Sequence, residues 1–525
     1  MNAPLWNFNG GVHPPPHKDE SNHEPTRPAR LPKRLILPLH QHIGEAAKPA
    51  VQIGERVLKG QVIAHADGYV SAALHAPTSG TVCDIADYPV PHPSGLSAPC
   101  IVIDCDGEDR WAQRPARQDY TQIDPSHLRN MIREAGIVGL GGAGFPSFIK
   151  LNPGAGKRID TLILNGVECE PYITCDDRLM RERPREIVAG LHIMRHALHA
   201  RECIIAIEDN KPEAHEIMRA AVAGEPGIRV ALLPTVYPQG SEKQLIKVVT
   251  GKEVPSNGLP LHIGIVMHNV GTAYAVYRAI EHGEPLISRY VTVTGDAVQQ
   301  PRNLEVLFGT SVLDLLEECE VDLGGTDRVI IGGPMMGFAL HTVNAPVVKT
   351  VNCVLATTAA AIPKPQPAMP CIRCGACMDA CPANLLPQQL YWYAHAKDFH
   401  RIQEYNLFDC IECGCCSYVC PSHIPLVQYY RFAKAEIWAQ EREKDKAELA
   451  RKRHDFRQQR LEREKAERAS RLRKKKSELH TPEPAAGEAV AEKPDKKAAI
   501  LAALERARAK REGGNDSTPI DKDAP

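Results

Sequence analysis

Cys371, Cys374, Cys377 and Cys381 stand before Pro382 as CxxCxxCxxxCP, and the same spacing returns at Cys410, Cys413, Cys416 and Cys420 before Pro421. Three thiolates at every third residue can wrap one face of a compact iron–sulfur cube. A fourth, placed just before a proline that ends the turn, points away from it. In duplicated runs of this kind the fourth cysteine ligates the other cluster. Cys371, Cys374, Cys377 and Cys420 would then hold one 4Fe–4S cluster, and Cys410, Cys413, Cys416 and Cys381 the second. Such centres carry single electrons. A zinc ribbon separates two CxxC pairs by a longer loop and needs neither a third cysteine at the same interval nor a trailing proline. A disulfide framework belongs to short secreted chains, whereas this one has 525 residues and opens on a polar, Pro- and His-dotted segment unlike a signal peptide.

Of 17 cysteines the two runs use eight, leaving Cys83, Cys100, Cys105, Cys169, Cys175, Cys203, Cys319, Cys353 and Cys415 as buried or incidental thiols of a reducing compartment. CGCC offers two adjacent thiols, and spacing alone selects Cys416 over Cys415.

A second candidate site is the glycine-rich VGLGGAGFPSFIK, with Gly139, Gly141, Gly142 and Gly144. Missing side chains let backbone N–H groups approach a phosphate or a ring system closely. The loop lacks the GxGxxG order of a dinucleotide turn and the Walker pattern. Taken alone it reads equally as a tight turn or as a nucleotide or flavin cradle. The following LILNGVECEPYITCDDRLM favours the cradle, because a strand end bearing Asn165, Glu168 and Glu170 is where open α/β sheets place ligand contacts.

The elements that position these residues read as a multidomain α/β chain. Residues 1–30 read as a disordered arm. From 31 to 115, short β-type runs alternate with Gly and Pro turns, as in LILPL and CIVIDC, and VxIGxxVxxGQxI followed by VxAPxSGTV resembles the barrel-sandwich of lipoyl and biotinyl carriers. The hairpin that carries a modifiable lysine in those carriers reads Ala66, Asp67, Gly68, Tyr69 here, so a structural or docking module is expected. Between 120 and 285 the strand candidates TLILNGV, CIIAIED, RVALLP and HIGIVMHNV alternate with helical patterns, which favours a parallel sheet. Residues 286–345 read β–turn–α–β, a unit that resembles the β-grasp-like SLBB domain. A proline linker at 363–370 leads to the two-cluster domain, 360–435, and residues 436–525 read as a charged helix and disordered tail.

Beyond the cysteines, the α/β segment resembles the flavin-bearing, NADH-binding subunit of respiratory complex I. GxGGAGFPxxxK and NADExEP find counterparts in order, and YPQGSEKQL and HNVGT resemble that family's YxxGEExxL and NNVET. The resemblance implies that Gly139, Gly141, Gly142, Lys150, Asn165, Glu168, Gly240 and Asn269 line FMN. It also implies that Phe145, Glu170, Tyr237 and Glu242 receive NADH, the aromatics by stacking. Val167, Ser241 and His268 depart from the family's Asp, Glu and Asn. The order of four modules, lipoyl-like barrel, flavin/NADH unit, β-grasp-like unit and twin ferredoxin-type motif, resembles the C-subunit family of Rnf-type electron-transport complexes across about residues 31–435.

That resemblance implies a peripheral subunit on the cytoplasmic side of the cell inner membrane. It would pass electrons between NADH, FMN and the clusters and on to other subunits, ferredoxin being reached through the complex, and so couple them to ion translocation. A flavin resolves the mismatch between a two-electron nucleotide and a one-electron cluster, and no obligatory acid–base side chain is expected. The rival from another class is a flavin-free electron-wiring or scaffold protein. Formal net charge is −1, but residues 441–480 hold 16 Lys/Arg against 9 Asp/Glu. They read as a solvated helix or as a partner or membrane-surface contact. Nucleic-acid binding is not expected, since no aromatic platform interleaves the charges. No run of 18 apolar residues offers a membrane span.

Overall fold

Short valine- and isoleucine-rich strands with glycine turns build the first layer. In the computed structural model, which describes residues 4–115, 119–154, 156–362, 366–478, 500–503 and 505–506, Arg34–Pro38, Ser97–Cys105, Gly80–Pro89 and Arg56–Val57 form one antiparallel sheet. Lys48–Pro49, Val62–His65 and Leu74–His75 form another. Their inward residues, among them Leu35, Leu37, Ile63, Val82, Ile101 and Ile103, are buried as a barrel-sandwich requires. The turn at Ala66–Tyr69 stays exposed at Gly68 and Tyr69 but touches the α/β unit: Tyr69 meets the Phe148 ring edge-on at 5.7 Å and Gly68 O accepts from Arg133 at 3.2 Å.

The α/β unit holds four parallel strands, Thr161–Asn165, Glu202–Glu208, Ile228–Leu233 and Ile265–Asn269, paired in the order third, second, first, fourth. Helix Pro184–Leu198 packs on helix Val270–His282, where a Cβ on Gly190 would drive into the carbonyl of Ala273.

The β-grasp-like unit is larger than the sequence pattern indicated. Its sheet runs Arg27–Pro28, Arg302–Leu307, Ser288–Thr294, Cys353–Thr357, Arg328–Ile331, Phe338–Ala339. Cys353–Thr357 is interior to that sheet and lies past the expected boundary at 345, because its pairing partners are distant in sequence. Arg27–Pro28 belongs to the segment expected to be disordered. That expectation is corrected for residues 4–30: Val12, Lys18 and Ser21 are buried, and the arm finds its hydrogen bonds on the α/β and cluster domains. Low hydrophobicity misled here because the arm is held by backbone pairing and one buried lysine rather than by an apolar stripe.

The cluster domain packs Leu390, Ile402, Leu407, Tyr430 and Ile437 into its own small core. Contacts divide the chain into residues 1–440 and 441–525. Helix Leu426–Glu478 continues into the second unit, where residues 441–477 are exposed and carry pairs such as Lys452–Glu448 at 2.8 Å. Most of the expected disordered tail lies outside the described residues. Among the described residues no helix is long and apolar enough to cross a membrane.

Candidate flavin and iron–sulfur site

In a parallel sheet ordered third, second, first, fourth, the chain reverses direction of travel between the first and fourth strands. Ligands bind outside the carboxyl ends at that point. The two strands there end on Asn165 and Asn269, which stand in register. Asn269 Oδ1 caps its helix by accepting from Gly271 N at 2.8 Å, an arrangement worth about 1 kcal/mol. Its Nδ2 donates to Asp176 Oδ2 at 2.6 Å. Asn165 Nδ2 donates to Gly240 O at 2.8 Å.

The glycine loop lies over this edge. Gly139 N bonds Phe145 O at 2.8 Å, Leu140 N bonds Thr272 Oγ1 at 3.0 Å, and Ile43 N of the barrel bonds Gly144 O at 3.2 Å. Gly141 sits against Asn269, with 3.4 Å from a Cβ position to Asn269 Cβ. Gly142 has φ +109°, a conformation reserved for glycine, and a Cβ there would meet nothing within 4 Å. Among the described residues the amides of Gly141, Gly142 and Ala143 donate to no protein atom. Lys150 Nζ lies 2.7 Å from Glu242 Oε1 and 3.3 Å from Met267 O. His268, buried at 4% exposure, leaves Nε2 without a partner. Burial, with Lys150 contributing, pushes that imidazole down to about 3, so it is neutral. Open space over a glycine, unused amides, a cation and an orphaned ring nitrogen together fit a phosphorylated ring ligand such as FMN.

The next loop is held from below. Glu168 accepts from Asp176 N at 2.6 Å and Asp177 N at 3.3 Å. Burial raises its carboxyl pKa, opposed by Lys18. Lys211 Nζ donates to Val167 O at 2.7 Å and Lys18 Nζ to Glu168 O at 2.6 Å. Neither lysine carried a sequence signal. Phe145 is half-buried and Glu242 keeps a third of its side chain exposed. Tyr237 and Glu170, assigned by resemblance to NADH, are engaged elsewhere. Tyr237 is 3% exposed and its OH donates to Cys413 O at 2.6 Å. Glu170 Oε1 accepts from Met335 N at 2.7 Å and Met336 N at 3.1 Å. The ring of Tyr237 therefore has no open face for nicotinamide, because the cluster domain packs on it.

The two cysteine runs share one backbone geometry. Each residue of the first run has its counterpart 39 positions later, and the backbone repeats too: left-handed φ occurs at Arg373, Gly375 and Asn384, and again at Glu412, Gly414 and His423. For Arg373 and Glu412 that conformation costs about 1–3 kcal/mol. Burial raises the Cys377 thiol, and Cys374, Cys420 and Cys371 are the neighbours that act on it. Cys416 is likewise raised by burial and then by Cys410, Cys413, Cys381 and Cys377. Cys420 thus lies near the first run, and Cys381 near the second. All these thiols are free, and Cys381, Cys410, Cys413 and Cys416 line one cavity with Pro382, Leu390, Val427 and Tyr430. The donor set and the shared cavity fit a thiolate-ligated cluster. Cys415 is outside that cavity, its Sγ 3.9 Å from Tyr237 O.

Residues 132–278 match the family described as Nuo51 FMN-binding domain, 6–108 the RnfC barrel sandwich hybrid domain, 290–339 the SLBB domain and 370–424 the 4Fe-4S dicluster domain. The four modules expected from the sequence are present. The chain is 49% identical over 470 residues to the C subunit of the ion-translocating oxidoreductase complex of Klebsiella pneumoniae (strain 342), covering 90% of this chain and 62% of that protein. For the protein of the same description from Pseudomonas aeruginosa the figures are 50% over 466 residues, 89% and 60%. For that of Salmonella gallinarum they are 47% over 467 residues, 89% and 69%. The chain spans about three fifths of the length of the first two.

Proposed function

The chain belongs to the family of C subunits of ion-translocating oxidoreductase complexes, and on that premise we propose that it passes electrons between NADH, FMN and two 4Fe–4S clusters and on to partner subunits. FMN, when bound, takes two electrons together from a nucleotide and releases them singly. The amides of Gly141–Ala143 and the Lys150 ammonium hold its phosphate. Asn165 and Asn269 fix its orientation at the sheet edge, and Glu242 offsets the charge on Lys150. Phe145 and Glu242 face NADH. Tyr237 serves instead to join the pocket segment to the cluster domain, and Glu170 to join it to the β-grasp-like unit.

The observation that carries this reading is one segment touching both sites. Gly240 O accepts from Asn165 in the pocket, while Tyr237, three residues earlier, donates to the carbonyl of the cluster ligand Cys413. The foursome containing Cys413 is therefore the entry cluster. The other foursome, whose Cys374 is exposed, is the exit toward a partner. The partner subunits span the membrane, and this chain sits peripherally on the cytoplasmic face of the inner membrane, with ferredoxin reached through the complex.

Flavin content and NADH-dependent bleaching of the reconstituted chain test the proposal. The expected result is one FMN per chain, bleached by NADH. A chain that takes up eight irons but no FMN would leave only the wiring role.

A further inference from the structure

Residues 6–28 run across the α/β unit, the cluster domain and the β-grasp-like unit. Trp6 N bonds Val248 O at 3.0 Å, Gly11 N bonds Ala380 O next to the ligand Cys381 at 3.0 Å, and Val12 exchanges two backbone bonds with Tyr237 at 2.8 and 2.9 Å. Tyr172 N bonds Pro16 O at 2.8 Å, and the His17 ring stacks on Tyr172 at 4.3 Å. Beyond them, Ser21 Oγ meets Thr174 Oγ1 at 2.8 Å, and Arg27–Pro28 joins the β-grasp-like sheet.

At the centre of this run Lys18 is 7% exposed, and its Nζ donates to Glu168 O at 2.6 Å, Glu170 O at 2.9 Å and Ile173 O at 2.6 Å. An ammonium has three hydrogens, and here each has one carbonyl. The loop they hold needs holding, because Glu168 and Tyr172 both have left-handed backbone, φ 47° and 70°, at about 1–3 kcal/mol each. Removing Lys18 would leave three carbonyls turned toward a buried gap, and the strained loop would relax.

We infer that Lys18 is a positioning residue for the flavin site: carried in by the N-terminal arm, it holds Glu168–Ile173 in the shape that sets Glu168 on the amides of Asp176, the partner of Asn269, and of Asp177, and Glu170 on the amides of Met335 and Met336 in the β-grasp-like unit. This rests on the reading of the sheet edge as the FMN site. The arm is then a working part of that site rather than a leader to the barrel.

The test uses the full chain with Lys18→Met, of similar length without charge, and Lys18→Arg, which keeps the charge but not three donors on one atom. Amide hydrogen exchange is read without flavin, and FMN affinity and the visible circular dichroism of bound FMN are read after loading. Lys18→Met is expected to speed exchange at 166–174 by about tenfold or more, with strands Thr161–Asn165 and Ile265–Asn269 unchanged, to weaken FMN by about tenfold and to alter the dichroism. Lys18→Arg is expected to shift the same readouts in the same direction by less, and it decides the matter alone if the Met variant does not fold. A lowered melting temperature with loop exchange, FMN affinity and dichroism all as in wild type would overturn the inference. If wild type itself binds no FMN, the site reading fails, and the exchange data alone still say whether Lys18 holds the loop.

Discussion

Cys381 and Cys420 each sit in one run and face the other, so each should control the cluster of the opposite half. Cys420→Ser should lower iron from about eight to about four per chain by emptying the site of Cys371, Cys374 and Cys377, and Cys381→Ser should empty that of Cys410, Cys413 and Cys416. Cys415→Ser should leave iron at about eight, since that thiol points to Tyr237. Iron and sulfide analysis with electron paramagnetic resonance checks all three. Lys150→Ala should weaken FMN by about tenfold or more, as expected for loss of a charged hydrogen-bond donor of about 1.5–3 kcal/mol, measurable by flavin fluorescence. Residue chemistry was legible where spacing encodes it, in both cysteine runs and the glycine loop. It was not legible at Lys18 or Lys211, because a single lysine reaching a backbone carbonyl far along the chain leaves no pattern. The bond from Tyr237 to Cys413 was hidden for a related reason: a motif match identifies a position but not what packs on it.

Among the elements, the pocket depends on helix Val270–His282, whose first turn is capped by Asn269 and whose side packs on helix Pro184–Leu198. Gly190→Ala should force these helices apart at the Ala273 carbonyl, costing about 1–3 kcal/mol of stability and loosening FMN, read by denaturant unfolding with and without flavin. The barrel also has an acid-sensitive contact. Burial pushes His42 down to about 4 and His75 to about 3. In the unfolded chain both bind a proton below about 6.5, while in the fold they stay neutral until the pH is lower. Unfolded chain then holds more protons, so stability falls as pH drops from about 6.5 toward 4, by about 1.4 kcal/mol per pH unit for each ring. Melting curves over that range check it, and His75→Asn should flatten the slope. The four parallel strands could be read from their apolar runs. Cys353–Thr357 and Arg27–Pro28 could not, since their partners lie far away in sequence and Arg27–Pro28 is exposed.

For the whole molecule, the module order named the architecture, and packing within residues 1–440 supplies what order could not: which foursome meets the flavin segment, and that the N-terminal arm stitches the pocket to both the cluster and β-grasp-like domains. Removing residues 441–525 should leave iron and flavin content unchanged, since the cysteines and the pocket lie in the first unit. If the nucleotide site and the clusters form one electrical path, electrons placed on the clusters must be able to leave through the nucleotide. The most direct measurement reduces the fully loaded chain chemically, removes the reductant and adds excess NAD+ anaerobically while following the cluster resonance signal and NADH absorbance. The cluster signals are expected to disappear as NADH appears, one NADH for every two electrons withdrawn. Clusters that stay reduced while no NADH forms, in a chain shown to hold both clusters and FMN, would contradict the single path.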